Sequence, residues 1–258
     1  MTANRAQQGC AWITGASTGL GRALARRMAA DGWTVAASAR SQKPLEELAQ
    51  SVAGQSGKIC VYPLDVTDQS AVVATVETIE REVGPIHQAV LNAGSHQALS
   101  AADLQATVFR DLLSLNLMGT VHCLEAVLAT MVSRRAGRIA VVASLAGYRG
   151  LPTAAAYGMT KAGLINMAEA LKPELDRYGV CLQVVNPGFV RTPLTDKNRF
   201  PMPFLMEVEA AADAFYQGLQ SERFEIVFPR RLAYLLKILR CLPAPLAFAV
   251  TRRLVPAP

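Results

Sequence analysis

The chain has 258 residues, 51% hydrophobic and 18% charged, which excludes a disordered chain and suits one α/β domain with a large core. Its net charge of +6 sits at one end: the basic residues after Phe228 (Arg230, Arg231, Lys237, Arg240, Arg252, Arg253) meet no acidic residue there, and 20 basic and 20 acidic residues balance before them. A basic domain face for nucleic acid is therefore not indicated. The five cysteines are scattered, odd in number and form no CxxC pair, so they read as small buried apolar residues in a reducing compartment and no metal site is expected.

Residues 1–9 are polar and lack an apolar h-region, so no secretory signal is expected and a cytoplasmic location is. From there β-type runs alternate with helical patterns: strand 10–14, helix 22–30, strand 34–38, helix 44–53, strand 58–63, helix 70–83, strand 86–91, helix 109–131, strand 138–143, helix 157–178, strand 180–185, helix 207–219 and strand 225–228. Strict alternation predicts an α/β fold, a doubly wound parallel sheet of about seven strands flanked by helices. Arg138-Ile-Ala-Val-Val-Ala143 is near-continuously apolar, as a strand covered on both faces should be. No repeat, low-complexity tract or Gly/Ser linker occurs, so 1–228 reads as one domain and 229–258 as a basic amphipathic appendage.

The first strand leads into Thr14-Gly15-Ala16-Ser17-Thr18-Gly19-Leu20-Gly21, which opens the first helix. Glycines let the chain turn tightly and let backbone approach a pyrophosphate, and a helix N-terminus offers free N–H groups and the positive end of its dipole. The GxxxGxG spacing is neither the GxGxxG dinucleotide fingerprint nor a P-loop. A Gly-rich turn without a ligand is the alternative, and its place after the first strand favours nucleotide binding.

TGxxxGxG near the N-terminus resembles the short-chain dehydrogenase/reductase family. The resemblance continues in register over about residues 10–228: Asp65-Val66, Leu91-Asn92-Ala93-Gly94, Asn116, Ser144, Tyr157-Gly158-Met159-Thr160-Lys161 and Asn186-Pro187-Gly188. It implies a Rossmann-type oxidoreductase moving hydride between a nicotinamide dinucleotide and a carbonyl/alcohol pair. It also implies that Gly15, Ser17, Thr18, Gly19, Leu20 and Gly21 cradle the phosphates, and that Asp65 and Val66 meet the adenine. Asn92, with Ala93 and Gly94, would hold backbone near the ribose. Pro187, Gly188, Val190 and Thr192 would border the nicotinamide, while Asn116 would bend its helix and hold a water linking Lys161 to solvent.

The residue ending the second strand reads the adenosine ribose. An acidic residue there binds the 2′-OH of NAD, and a nearby Arg accommodates a 2′-phosphate. Ser38-Ala39-Arg40 has no carboxylate, so NADP(H) is favoured over NAD(H), with Arg40 as the phosphate partner. The alternative is an Arg40 that only closes the loop in solvent.

Tyr157 and Lys161 are four apart at the start of a helical stretch and share a face. A free tyrosine titrates near pH ~10. A neighbouring ammonium is expected to lower that value, so that the phenol gives or takes the proton of the substrate oxygen. Ser144, at the end of the fifth strand, is placed to hydrogen-bond that oxygen. Asn116, Ser144, Tyr157 and Lys161 are thus the expected catalytic set. A surface Tyr and Lys one turn apart is the structural alternative.

Residues 194–206 carry Phe200, Met202, Phe204, Leu205 and Met206 among polar residues and two prolines, which reads as a substrate lid. With Leu99, Leu145, Tyr148 and Leu151 it suggests an apolar carbonyl or alcohol substrate; core packing of the same residues is equally compatible. The tail has apolar residues at 232, 235, 236 and 239 flanked by Arg230, Lys237 and Arg240, then Pro243 and Pro245. No apolar run in it approaches the ~20 residues of a transmembrane helix. Peripheral membrane contact through 230–254 and a helix covering a sheet edge or partner subunit both fit. The resemblance implies a homodimer or homotetramer through the helices holding Asn116 and Tyr157. A non-catalytic dinucleotide-binding regulator is the competing function, but it would typically have lost Tyr157 or Lys161; a methyltransferase would want an acidic residue after the second strand.

Overall fold

Each apolar run forms a strand, and parallel pairing follows because every connection is a crossover too long for a hairpin. The strands are β1 (Cys10–Thr14), β2 (Thr34–Ala39), β3 (Lys58–Pro63), β4 (Ile86–Leu91), β5 (Gly137–Val142), β6 (Val180–Pro187) and β7 (Glu225–Phe228), in the all-parallel order β3-β2-β1-β4-β5-β6-β7. This computed structural model describes residues 9–196 and 201–255; the stretch 1–8, Phe200 of the expected lid and residues 256–258 lie outside the described residues.

The helices are α1 (Gly19–Ala30), α2 (Gln42–Gln50), α3 (Gln69–Glu82), α4 (Ala106–Leu112), α5 (Gly119–Ser133), α6 (Ala155–Arg177), α7 (Val208–Leu219), α8 (Arg230–Cys241) and α9 (Ala244–Thr251). Side-chain alternation along the strands divides the core between two layers. Cys10 and Trp12 of β1 face Val72, Cys123 and Leu164 of α3, α5 and α6. Ala11 and Ile13 face Leu24, Leu45 and Ala211 of α1, α2 and α7. Burying both faces makes each strand apolar throughout, which is why the strand boundaries were readable.

The expected single helix over 109–131 is instead α4, a π-helical turn at Leu113–Met118 and α5. The turn carries Asn116 inward, fully buried. Its side chain accepts from the Ser95 amide (2.8 Å) and donates to the Ser95 carbonyl (2.9 Å), bonds that replace regular helix geometry. The composite segment Ala106–Ser133 is long and apolar enough to cross a membrane by length and composition. However, Cys123, Leu124, Val127 and Met131 bury one side of it in the sheet's core, as a core helix does.

The tail also differs from its sequence pattern. Leu232, Ala233 and Leu239 of α8 are buried and Leu236 is half-buried against the core, whereas Leu235 is exposed. The helix is rotated so that Leu235, the second member of the expected stripe, points to solvent.

Candidate active site

The strand order reverses between β1 and β4, and a doubly wound sheet opens its ligand crevice there, outside the carboxyl ends of the strands. The turn after β1 and the motif after β4 are locked together. The Asn92 side chain donates to the Thr14 (3.0 Å) and Gly15 (3.2 Å) carbonyls, while the Asn92 and Ala93 amides donate to the Thr14 hydroxyl at 3.0 and 3.1 Å. Gly15 has φ 66° and packs so closely on β4 that a β-carbon there would lie 2.9 Å from the Ala93 Cα. A β-carbon on Gly21 would meet the Gly15 carbonyl at 2.4 Å. Thr18 begins α1 with no side-chain cap and no acid in the first turn, leaving the first amides and the dipole available to an anion. This cradle fits the phosphates of a dinucleotide.

The residues expected to meet the adenosine lie beside it. Arg40 is exposed just after β2, and Asp65 sits beyond β3. The Thr67 amide (2.9 Å) and hydroxyl (2.8 Å) hold the Asp65 carboxylate below its usual pKa, with Arg40 adding to the effect. The two expected adenosine residues are thus electrostatic neighbours. Val66, expected against the adenine ring, has its side chain buried in the core against Gly119 of α5. The Arg22 guanidinium ties the phosphate turn to α2 through the Ser17 (3.4 Å) and Pro44 (3.0 Å) carbonyls.

At the other end of the crevice Ser144, Tyr157 and Lys161 converge. Ser144 caps a 3-10 turn, accepting from the Ala146 amide at 3.1 Å, and its hydroxyl lies 3.4 Å from the Pro187 carbonyl. Lys161 is buried, donates to the Val142 carbonyl (2.8 Å), and its Nζ stands 5.6 Å from the centre of the Tyr157 ring. A β-carbon on Gly94 would come within 3.1 Å of the Asn116 Oδ1 and 3.5 Å of Lys161 Nζ, so Asn116, Gly94 and Lys161 form one contiguous group. Asn116 also donates to the Thr160 hydroxyl at 3.2 Å.

One electrostatic expectation is reversed. Burial raises the Tyr157 pKa above its ordinary value, with the Ser144 side chain acting in the opposite direction. Burial also lowers Lys161 to about 8. The ammonium is directed at the Val142 carbonyl rather than at the phenol oxygen, so desolvation outweighs its charge.

Beyond β6 Gly188 donates to the Phe228 carbonyl (2.7 Å), and the segment after it, expected to border the nicotinamide, is pinned by a bridge between Val190 and Met206. Thr192 reaches the phosphate turn: a β-carbon on Gly19 would lie 3.2 Å from its methyl. The expected lid is therefore anchored at Met206, and Phe204 is exposed with φ 59°. Leu99, Leu145 and Tyr148 are buried in the protein's own core, leaving Leu151 as the partly open member of the four expected pocket residues.

Several participants were not assigned from the sequence. Thr14 was seen only as part of the glycine motif. His96 stands edge-on to Tyr157, ring centres 4.8 Å apart. Glu225 of β7 receives hydrogen bonds from Tyr148, Asn186 (2.9 Å) and Lys237; burial alone would raise its pKa, but these bonds hold it below the usual range. The Asn186 Oδ1 and Gln183 Oε1 atoms are buried without a hydrogen-bond partner among the described residues. His96 had a weak signal, two positions beyond Gly94; Glu225 had none.

Fold and site together define a doubly wound nucleotide-binding domain with a Ser-Tyr-Lys constellation at its crevice. The family model for short chain dehydrogenase matches residues 9–202. An uncharacterized oxidoreductase of Myxococcus xanthus is 38% identical over 95% of this chain and 96% of its own length. A Nostoc protein named ketoacyl reductase HetN is 32% identical over 83% of this chain and 76% of its own. A short-chain dehydrogenase from Sphingobium yanoikuyae, solved in complex with NADPH, superposes with a TM-score of 0.80 at 27% identity, covering 90% of this chain and 92% of that one. The chain belongs to the short-chain dehydrogenase family and is an oxidoreductase of that family.

Proposed function

We propose that this protein is an NADP(H)-dependent reductase of apolar ketones, with Tyr157 as the proton donor. The observation that carries the reading is the buried Lys161 ammonium, held among the Val142 carbonyl, Gly94 and the Tyr157 ring at the end of a crevice that begins with an uncapped helix.

The phosphates would lie on the α1 N-terminus between Ser17 and Gly21, the 2′-phosphate at Arg40, and the nicotinamide end near Pro187, Gly188, Val190 and Thr192. Asp65, Asn92, Ala93 and Gly94 would border the adenosine half, with Val66 contributing only its backbone there. When bound, the dinucleotide supplies the hydride. The Ser144 hydroxyl orients the substrate oxygen, and the Tyr157 hydroxyl gives that oxygen its proton. Burial keeps the phenol protonated at neutral pH, the state that reduction requires. The Lys161 cation near the ring stabilises the phenolate left behind, and Asn116 positions the loop after β4.

Supporting an apolar substrate, Leu151, Met202 and Leu205 are partly open and Phe204 is exposed, the last three on the stretch pinned to the loop after β6. The name of the Nostoc relative points the same way, toward a ketone on an acyl chain. Exposed Met118 and Met159, at the π turn and on α6, support a homodimer or homotetramer built through those helices. The test follows NADPH absorbance with a panel of ketones. Tyr157→Phe is expected to bind NADPH as the parent does and to lose at least about a hundredfold in turnover. Normal turnover in Tyr157→Phe, or no ketone reduced by the parent, would falsify the reading.

A further inference from the structure

The tail helix is apolar on two sides. One side of α8, through Leu232, Ala233 and Leu239, is buried on the core. On the other side Tyr234, Leu235 and Ile238 are 65%, 54% and 61% exposed. Tyr234 and Ile238 line a shallow groove of about 360 Å³ together with Lys237, Cys241 and Leu242. The helix after it has even less reason to face water. α9 carries no charged residue, and only Ala247 and Thr251 are buried, while Leu246, Phe248 and Val250 are exposed. Scattered single apolar residues on a surface need no explanation, but six large exposed apolar side chains on two consecutive helices do.

The charge around that face selects the occupant. Arg230, Arg231, Arg240, Arg252 and Arg253 are exposed, none makes a salt bridge with a described residue, and no acidic residue follows Phe228. A second copy meeting this face across a two-fold axis would set arginines against arginines, which opposes an isologous contact. An anionic bilayer satisfies both features at once: its headgroups take the cations and its acyl boundary takes the apolar side chains. We infer that α8 and α9 form a peripheral docking face for an anionic lipid surface. Lys237 is the exception among the cations, since it is paired with Glu225 and so fixes α8 to β7.

The test is flotation of the full chain with vesicles of phosphatidylcholine alone and of phosphatidylcholine mixed with phosphatidylglycerol. Enrichment of about tenfold or more is expected on the anionic vesicles, falling as salt is raised. The combined Tyr234→Ser, Ile238→Ser, Phe248→Ser variant should lose flotation on both vesicle types. The combined Arg231→Gln, Arg252→Gln, Arg253→Gln variant should lose the preference for anionic vesicles. Every substituted side chain is exposed, so circular dichroism and the unfolding midpoint should stay at parental values. Flotation is read independently of ketone turnover, so a failed assignment of activity leaves this result standing. Absence of flotation by the parent, or equal flotation of parent and variants, overturns the inference. So does a parent that ignores vesicles but sediments at a higher mass than the apolar variant, which would assign the face to a second copy.

Discussion

Lys161 is the residue at which stability and chemistry pull in opposite directions. Burial lowers its pKa from 10.5 to about 8, so at neutral pH the fold carries a desolvated cation whose main partner is the Val142 carbonyl. A shift of that size corresponds to roughly 3 kcal/mol opposing the folded state, of which the lost Val142 hydrogen bond would return about 1 on removal of the amine. Lys161→Met keeps the volume and deletes the charge. It should raise stability at pH 7 by about 1–2 kcal/mol while abolishing turnover. A urea midpoint below the parent's would show that the ammonium stabilises the fold rather than burdening it. The site residues with a chemical signature, Ser144, Tyr157 and Lys161, were picked out by the family resemblance together with the four-residue spacing of Tyr157 and Lys161. The environment that reverses the expected shift of the phenol was not, because burial is set by residues distant in sequence. Thr14, His96 and Glu225 were missed for the same reason: each acts through a partner that only the folded sheet brings near.

At the scale of elements, the break in regular geometry at Leu113–Met118 holds the loop after β4 in place. Asn116 closes both polar groups of Ser95, and its own carbonyl accepts from the Thr120 hydroxyl at 2.8 Å. Asn116→Leu would fill the space but leave the Ser95 amide and carbonyl without these partners, costing about 2–4 kcal/mol. It should also lower turnover, since the same loop carries His96 against Tyr157. A chemical-denaturation midpoint within about 0.5 kcal/mol of the parent's would refute this account. Strands were readable to within about two residues because both faces of the sheet are covered, so apolar runs end where the sheet ends. The resemblance implied a bend at Asn116, but its π geometry could not be read from the pattern, because one additional residue in a helical turn barely alters a periodic pattern. The tail's helix was visible but its rotation was not: Leu232, Leu235, Leu236 and Leu239 make one stripe on paper, and the buried surface of the sheet chose Ala233 over Leu235.

For the whole molecule, buried and half-buried acids and the buried base set opposing dependences on alkaline pH. Burial raises the thiols of Cys10 and Cys123 from 9.0 to about 12, and the phenols of Tyr62, Tyr148, Tyr157 and Tyr216 are raised as well, burial being the leading cause in each. Between the ordinary and the raised value the unfolded chain ionises while the folded chain keeps its protons, so each of these groups removes stability as pH climbs from about 9. Lys161 has the opposite sign: its penalty is complete below pH 8 and is relieved as pH rises toward 10.5, where the unfolded chain also loses the proton. With Cys60, whose thiol burial also raises, three thiols and four phenols outweigh one amine. The urea midpoint should hold nearly level to about pH 8.5 and fall steadily from there to pH 11. In Lys161→Met the compensating rise is gone, so its midpoint should start above the parent's at pH 7, fall more steeply, and lose that advantage by about pH 10.5. Parallel curves for the two proteins would mean that Lys161 titrates in the fold much as it does in the unfolded chain, and a parental midpoint that rises above pH 9 would remove the buried thiols and phenols as the source of the alkaline limit.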